Sequence, residues 1–179
     1  MPPRMETVSR QTLGSRSVEP AVHVLLRVRS EGGMTVAAHA SIAASNGAAM
    51  LGKIGQRIGP AFRNKLNQQI ERGIKTYLFV TTREGWKGPY VTYRCPLRHV
   101  HENLDAGKKP LVPTYYVANT PKIKTWFEIT GLERLPQEEM NRIFVLSSER
   151  SIMSVIASSA VLFHVGVHGS GSATPARSR

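Results

Sequence analysis

The chain has 179 residues, 41% of them hydrophobic, which suits one well-cored domain with tails and not a disordered chain. It carries 24 Lys and Arg against 12 Asp and Glu, a formal charge of +12, and no apolar run reaches the ~18 residues that cross a bilayer. Its single cysteine, Cys95, excludes an internal disulfide and a zinc site built from several cysteines.

A soluble, cytoplasmic protein is expected, because the N-terminus lacks the apolar stretch of a secretory signal and one thiol suits a reducing compartment. Such a basic chain attracts polyanions, and nucleic acid is the commonest of them. The charge is uneven. Residues 37–125 hold 14 basic and 4 acidic side chains, whereas residues 126–150 hold 3 and 5. Positive charge concentrated in one stretch points to a binding face more than the same charge spread evenly.

Residues 1–20 read as a flexible leader. Residues 21–29 (AVHVLLRVR) are apolar and read as a strand. Residues 34–50 are small and Ala-rich, fitting either a helix or a loosely packed segment. Met50, Leu51, Ile54 and Ile58 make an apolar stripe, but Gly52, Gly55 and Gly59 interrupt it and each costs a helix about 1 kcal/mol. Residues 21–60 are therefore expected as an N-terminal extension. A helix is predicted over 61–72, with Phe62, Leu66 and Ile70 on one face, Pro60 in its first turn and Gly73 at its stop.

The pattern then turns to strands: residues 75–82, 89–95, 112–117, 122–129, 142–146 and 160–167. Trp86 lies in a polar turn between Gly85 and Gly88. A short helix is predicted over 148–158, capped by Ser148. Residues 169–179 are Gly/Ser/Pro/Arg-rich and read as a disordered tail. The expected core, 61–168, is an α+β domain on a curled mixed sheet or pseudo-barrel with flanking helices.

Three stretches carry a resemblance: Tyr77-Leu-Phe-Val followed by Trp86, Thr125-Trp-Phe-Glu-Ile129, and the closing Ser159-Ala-Val-Leu-Phe-His-Val165. In strand order and aromatic placement, residues 76–167 resemble the PUA-like superfamily, most of all its EVE and YTH branch. The resemblance implies a pseudo-barrel that holds one flipped or modified base in an aromatic cage. On that model Trp86 and Trp126 are the best cage candidates, with Tyr90, Tyr115 and Tyr116 behind them.

A base pocket is also plausible on physical grounds, since each aromatic face stacks on a base for roughly 1–3 kcal/mol while neighbouring cations bind phosphate. The expected phosphate contacts are Arg63, Lys65, Arg83, Lys87, Lys108, Lys109, Lys122 and Lys124. Strand aromatics are more often core, however, and Trp86 escapes that objection because it lies in a turn. A second reading is a nucleic-acid-processing enzyme, a nuclease with His99, His101 and Glu102 as acid and base. A third is a structural or specificity module of a restriction, defence or ribonucleoprotein assembly. Cys95, in a strand, reads as a buried hydrophobe and not as a nucleophile. The glycines from Gly47 to Gly59 lack the Gly-Lys-Ser/Thr of a phosphate loop. No cofactor, metal or membrane partner is expected.

Overall fold

The structure, a computed structural model, describes residues 20–28, 32–55, 57–85, 87–157 and 162–169. Apart from residues 20 and 169, the expected leader and tail lie outside the described residues. The strands are β1 (His23–Arg27), β2 (Ala49–Ile54), β3 (Tyr77–Arg83), β4 (Tyr90–His101), β5 (Ile123–Ile129), β6 (Glu133–Arg134), β7 (Ile143–Val145) and β8 (Leu162–Val167). The helices are α1 (Gly32–Asn46), α2 (Pro60–Glu71), α3 (Gln137–Met140) and α4 (Ile152–Val155), and two 3-10 segments span Ala106–Leu111 and Thr114–Lys122.

The strands form one mixed sheet in the order β2-β5-β4-β3-β1-β8-β7, with β6 paired to β4. β1 and β3 are parallel, and the other described pairs are antiparallel. β2 and β7 end the order, so the sheet is open. The expected mixed sheet is present, and closure into a barrel is not.

Side-chain alternation sorts the sheet into two faces. Val24, Leu26, Leu78, Val80, Phe127 and Ile129 face one way and pack with Leu66 of α2 and Ala43 of α1. Leu25, Phe79 and Val165 face the other way and meet Met140, Ile143 and Ile152. Met50, Ile123 and Trp126 pack under Tyr116 of the second 3-10 segment. Burying a large apolar side chain contributes about 1.5–3 kcal/mol, so these three clusters hold the sheet to its covers.

β1 sits between β3 and β8, and β2 pairs with β5. β1 and β2, both before residue 61, are thus strands of the same sheet, and Ala43 of α1 joins its core. The apolar stripe at 50–58 is mostly β2. Gly52 belongs there because a Cβ would lie 2.7 Å from Ile123 Cδ1 and 3.0 Å from Trp126 Cζ3.

Residues 112–117 are not a strand. Pro113 and Pro121 lack the N–H a ladder needs, and this segment coils into the 3-10 cover instead. The helix expected over 148–158 begins later, at Ile152. Its cap is Ser151, whose hydroxyl accepts from the Met153 N–H at 3.3 Å, and not Ser148.

β4 positions the candidate site. Its first part, residues 90–96, pairs with β3, and after a register shift between Leu97 and His99 its last part pairs with β5. Beyond Pro96 the β3 edge is vacated, and Asn67 of α2 takes it over. The Val100 N–H donates to Asn67 Oδ1 at 2.9 Å, and Asn67 Nδ2 donates to the Val100 carbonyl at 3.0 Å. Gln69 does the same for Val22, at 2.9 and 2.8 Å.

Candidate nucleic-acid interface

His99 and His101 share one face of β4, as residues two apart must, with ring centroids 4.5 Å apart. In the register they stand opposite Glu128 and Trp126 of β5. Glu128 is 2% exposed, and a buried carboxylate must be paired. His101 Nε2 lies 2.9 Å from its Oε2, Lys108 Nζ donates to its Oε1 at 3.0 Å, and Arg98 Nη1 stands 3.6 Å from the same oxygen. Burial is the largest single influence on Glu128 and works to raise its pKa. The hydrogen bonds and charges of His101 and Lys108 outweigh it and hold the carboxyl below its usual range.

The proton positions in the histidine pair follow from their neighbours. Val100 fixes the Asn67 amide with its nitrogen toward His99, so the remaining Nδ2 hydrogen faces His99 Nε2 at 3.3 Å. His99 Nε2 is therefore an acceptor, and its proton sits on Nδ1. Burial and the neighbouring His101 lower the His99 pKa, which favours the same neutral form. His101 Nε2 faces a carboxylate and donates to it, which leaves Nδ1 with the lone pair in the neutral ring. Among the described residues every fully buried side-chain nitrogen or oxygen has a partner. The two Nδ1 atoms, which have no partner among the described residues, therefore open to solvent.

The acid beside these histidines is Glu128, and not Glu102 as expected from the chain order. Glu102 lies one residue past β4, where Arg57 and Arg63 hold it at 2.6 and 3.1 Å. Glu128 was legible as the single acid among apolar residues of a strand, a position that calls for partners.

The expected phosphate contacts divide into groups. Lys109, Lys122 and Lys124 are exposed, Lys109 beside Lys108 in the first 3-10 segment, Lys122 at the end of the second and Lys124 on β5. Arg63 is committed to Glu102, with 19% of its side chain exposed. Lys65 lines a separate groove of about 510 Å³ between α2 and β8, with Phe62, Leu146 and Phe163. Arg83 covers the Tyr90 ring at 4.6 Å, beside exposed Lys87, at the β3–β4 turn. That turn is the far end of β4 from His101, roughly 35 Å of strand away.

The expected aromatic cage divides in the same way. Trp86 lies outside the described residues. Trp126 is 1% exposed and walled in by Tyr116, Met50 and Ile123, so it faces the interior and not an open pocket. Tyr116 is buried too, its hydroxyl donating to the Gly52 carbonyl at 3.1 Å. Tyr115 is 43% exposed, and it is the cage candidate at this end that offers a ring to solvent. Tyr90 belongs to the other end.

The remaining chemistry-bearing residues are accounted for by packing. Burial pushes the Cys95 thiol far up, which makes it a poor nucleophile. His164 stacks on Phe62 at 3.5 Å and His168 on Phe144 at 4.3 Å, so the two do not converge. Among the described residues no three His, Cys, Asp or Glu side chains gather as a metal site. Among the described residues no helix is long and apolar enough to cross a membrane. No family model, curated protein or solved structure matches the chain.

Proposed function

We propose that the chain binds nucleic acid, with the phosphate backbone crossing the end of the sheet where β4 and β5 pair under the 3-10 cover. The observation that carries this reading is the ring of donors around Glu128. His101, Lys108 and Arg98 surround one carboxylate that is itself withdrawn from solvent, and His99 stands opposite it on β4. A phosphate meeting this surface finds cationic groups that one buried acid orients without neutralising. Exposed Lys109, Lys122 and Lys124 extend the positive surface, and Tyr115 supplies a face on which a base can stack.

The PUA-like resemblance points the same way, toward a single base taken out of its strand. On the described residues that reading rests on Tyr115 at this end, since Trp126 and Tyr116 are interior.

A fluorescence-anisotropy titration of a labelled single-stranded oligonucleotide at several salt concentrations tests the proposal. Affinity is expected to fall linearly in log–log form, with a slope near −0.7 per phosphate contact. Lys109→Ala and Lys122→Ala, both at exposed positions, should each flatten that slope without unfolding the protein. Binding that is absent, or insensitive to salt, sinks the reading.

A further inference from the structure

The ring around Glu128 holds more than an anion site needs. An anion site needs donors alone, yet His101 turns a bare nitrogen outward. Its Nε2 is anchored on Glu128 at 2.9 Å, which fixes the tautomer and the ring plane, and its Nδ1 opens to solvent, while Lys108 and Arg98 stand at the other oxygen of the same carboxylate. A base oriented by a buried carboxylate, with cations beside it, is the arrangement used for general-base chemistry at phosphorus. Cys95 offers no activated nucleophile, because its thiol is buried and held protonated. RNA supplies its own nucleophile, the 2′-hydroxyl next to each phosphodiester.

We propose that the His101–Glu128 pair cleaves RNA by internal transesterification, with His101 as the general base. This rests on the nucleic-acid reading above. His101 Nδ1 takes the proton of the 2′-hydroxyl. The 2′-oxygen forms a bond to the adjacent phosphorus, and the bond from phosphorus to the 5′-oxygen breaks. The departing 5′-oxygen takes a proton from the Lys108 ammonium, which stands 3.0 Å from Glu128. Arg98 and the His99 Nδ1–H donate to the phosphoryl oxygens as negative charge builds on them. The products are a 2′,3′-cyclic phosphate and a free 5′-hydroxyl. His101 then releases its proton to solvent and Lys108 recovers one, so protons balance and no redox partner is needed. Glu128 is a positioning residue, since it acts through His101 and Lys108.

The test uses the full chain with a labelled RNA oligonucleotide in a chelating buffer, beside the matching DNA and 2′-O-methyl RNA. All three are expected to bind. RNA alone should be cut, with cyclic-phosphate and 5′-hydroxyl ends. His101→Ala should lower the rate about a hundredfold or more while affinity stays within a few fold. Arg98→Ala, at a side chain 57% exposed and therefore safe for folding, should slow cleavage too. Glu128→Gln should lower kcat more than it changes KM and shift the pH profile, which a merely structural role would not do. RNA bound but left intact overturns the inference and leaves the binding reading standing. Cleavage that survives His101→Ala, or that also cuts 2′-O-methyl RNA, overturns it as well. Failure of all three to bind overturns both.

Discussion

Asn67 on α2 holds both backbone groups of Val100 on β4, at 2.9 and 3.0 Å, and the same amide faces His99 Nε2 at 3.3 Å. One side chain thus ends a strand edge and sets a tautomer. Asn67→Ala removes both backbone partners from a part-buried edge and is expected to cost about 2–3 kcal/mol in urea denaturation. Asn67→Asp keeps an acceptor for the Val100 N–H but places negative charge against His99 Nε2. The His99 pKa, lowered in the native protein by burial and by His101, should rise in that variant. Glu71 of α2, Glu128 of β5 and Lys108 of the 3-10 cover also act on this ring and are unchanged by the substitution. An NMR titration of the His99 ring that shows no rise would contradict the assigned tautomer.

His23 gives a second pH dependence. Burial lowers its pKa to about 4, and Nδ1 accepts the Tyr77 N–H at 3.2 Å. The folded pKa lies below the unfolded value of 6.5, so the unfolded chain binds the extra proton between the two. The stabilisation is complete above about pH 6.5 and is lost as pH falls toward 4, a difference on the order of 3 kcal/mol. His23→Asn retains an acceptor for Tyr77 and does not titrate. Its urea midpoint should vary less with pH over that window, and an unchanged pH profile would assign the effect elsewhere.

The sheet was readable wherever a strand carried its own alternation. Residues 75–82 and 122–129 put Leu78 and Val80, then Phe127 and Ile129, on one face, and nothing in their neighbourhoods opposed it. Residues 49–54 were not readable, because Gly52 looks like a weakness in a helix until Ile123 and Trp126 are seen filling the space above it. Residues 112–117 misled in the other direction. Val112, Tyr115, Tyr116 and Val117 have strand propensity, and Pro113 among them and Pro121 beyond overrule it. At the site, His99 and His101 were evident from spacing. Glu128 stood out as the acid of its strand, but its pairing with them did not, since pairing across β4 and β5 depends on the register shift after Leu97. Asn67 left no local signal, because its role exists only once α2 lies along the vacated edge of β4.

Trp126 and Gly52 make a steric pair. The indole sits edge-on to Tyr116 with centroids 5.8 Å apart, and a Cβ on residue 52 would meet it at 3.0 Å. Gly52→Ala should therefore destabilise by about 1–3 kcal/mol through overpacking. Trp126→Ala should cost about 3–5 kcal/mol by leaving a cavity. Urea denaturation followed by circular dichroism checks both. A Trp126→Ala protein of normal stability with impaired nucleic-acid binding would reverse the assignment and return this indole to the binding surface.

Lys108 and Glu128 supply the last prediction. Glu128 is 2% exposed and remains ionised because Lys108 and His101 offset the cost of burial. Lys108→Ala removes one partner and leaves a buried carboxylate on His101 with Arg98 more distant. The full penalty for orphaning a buried charge is about 3–5 kcal/mol, but the Lys108 side chain is 33% exposed and solvent replaces part of its contact, so about 1–3 kcal/mol is expected at neutral pH. The variant's Glu128 pKa should rise, because burial is then less opposed. Native Glu128 has a depressed pKa, so its contribution is present above the unfolded carboxyl range and declines as pH falls through the folded value. In Lys108→Ala the carboxyl protonates sooner and the deficit relative to the native protein should shrink below about pH 4.5. Adding Glu128→Gln should recover part of the loss at neutral pH, since no charge is left to orphan. A double-mutant cycle in urea measures this directly. Additive effects of the two substitutions would mean that Lys108 does not hold Glu128 in its ionised state.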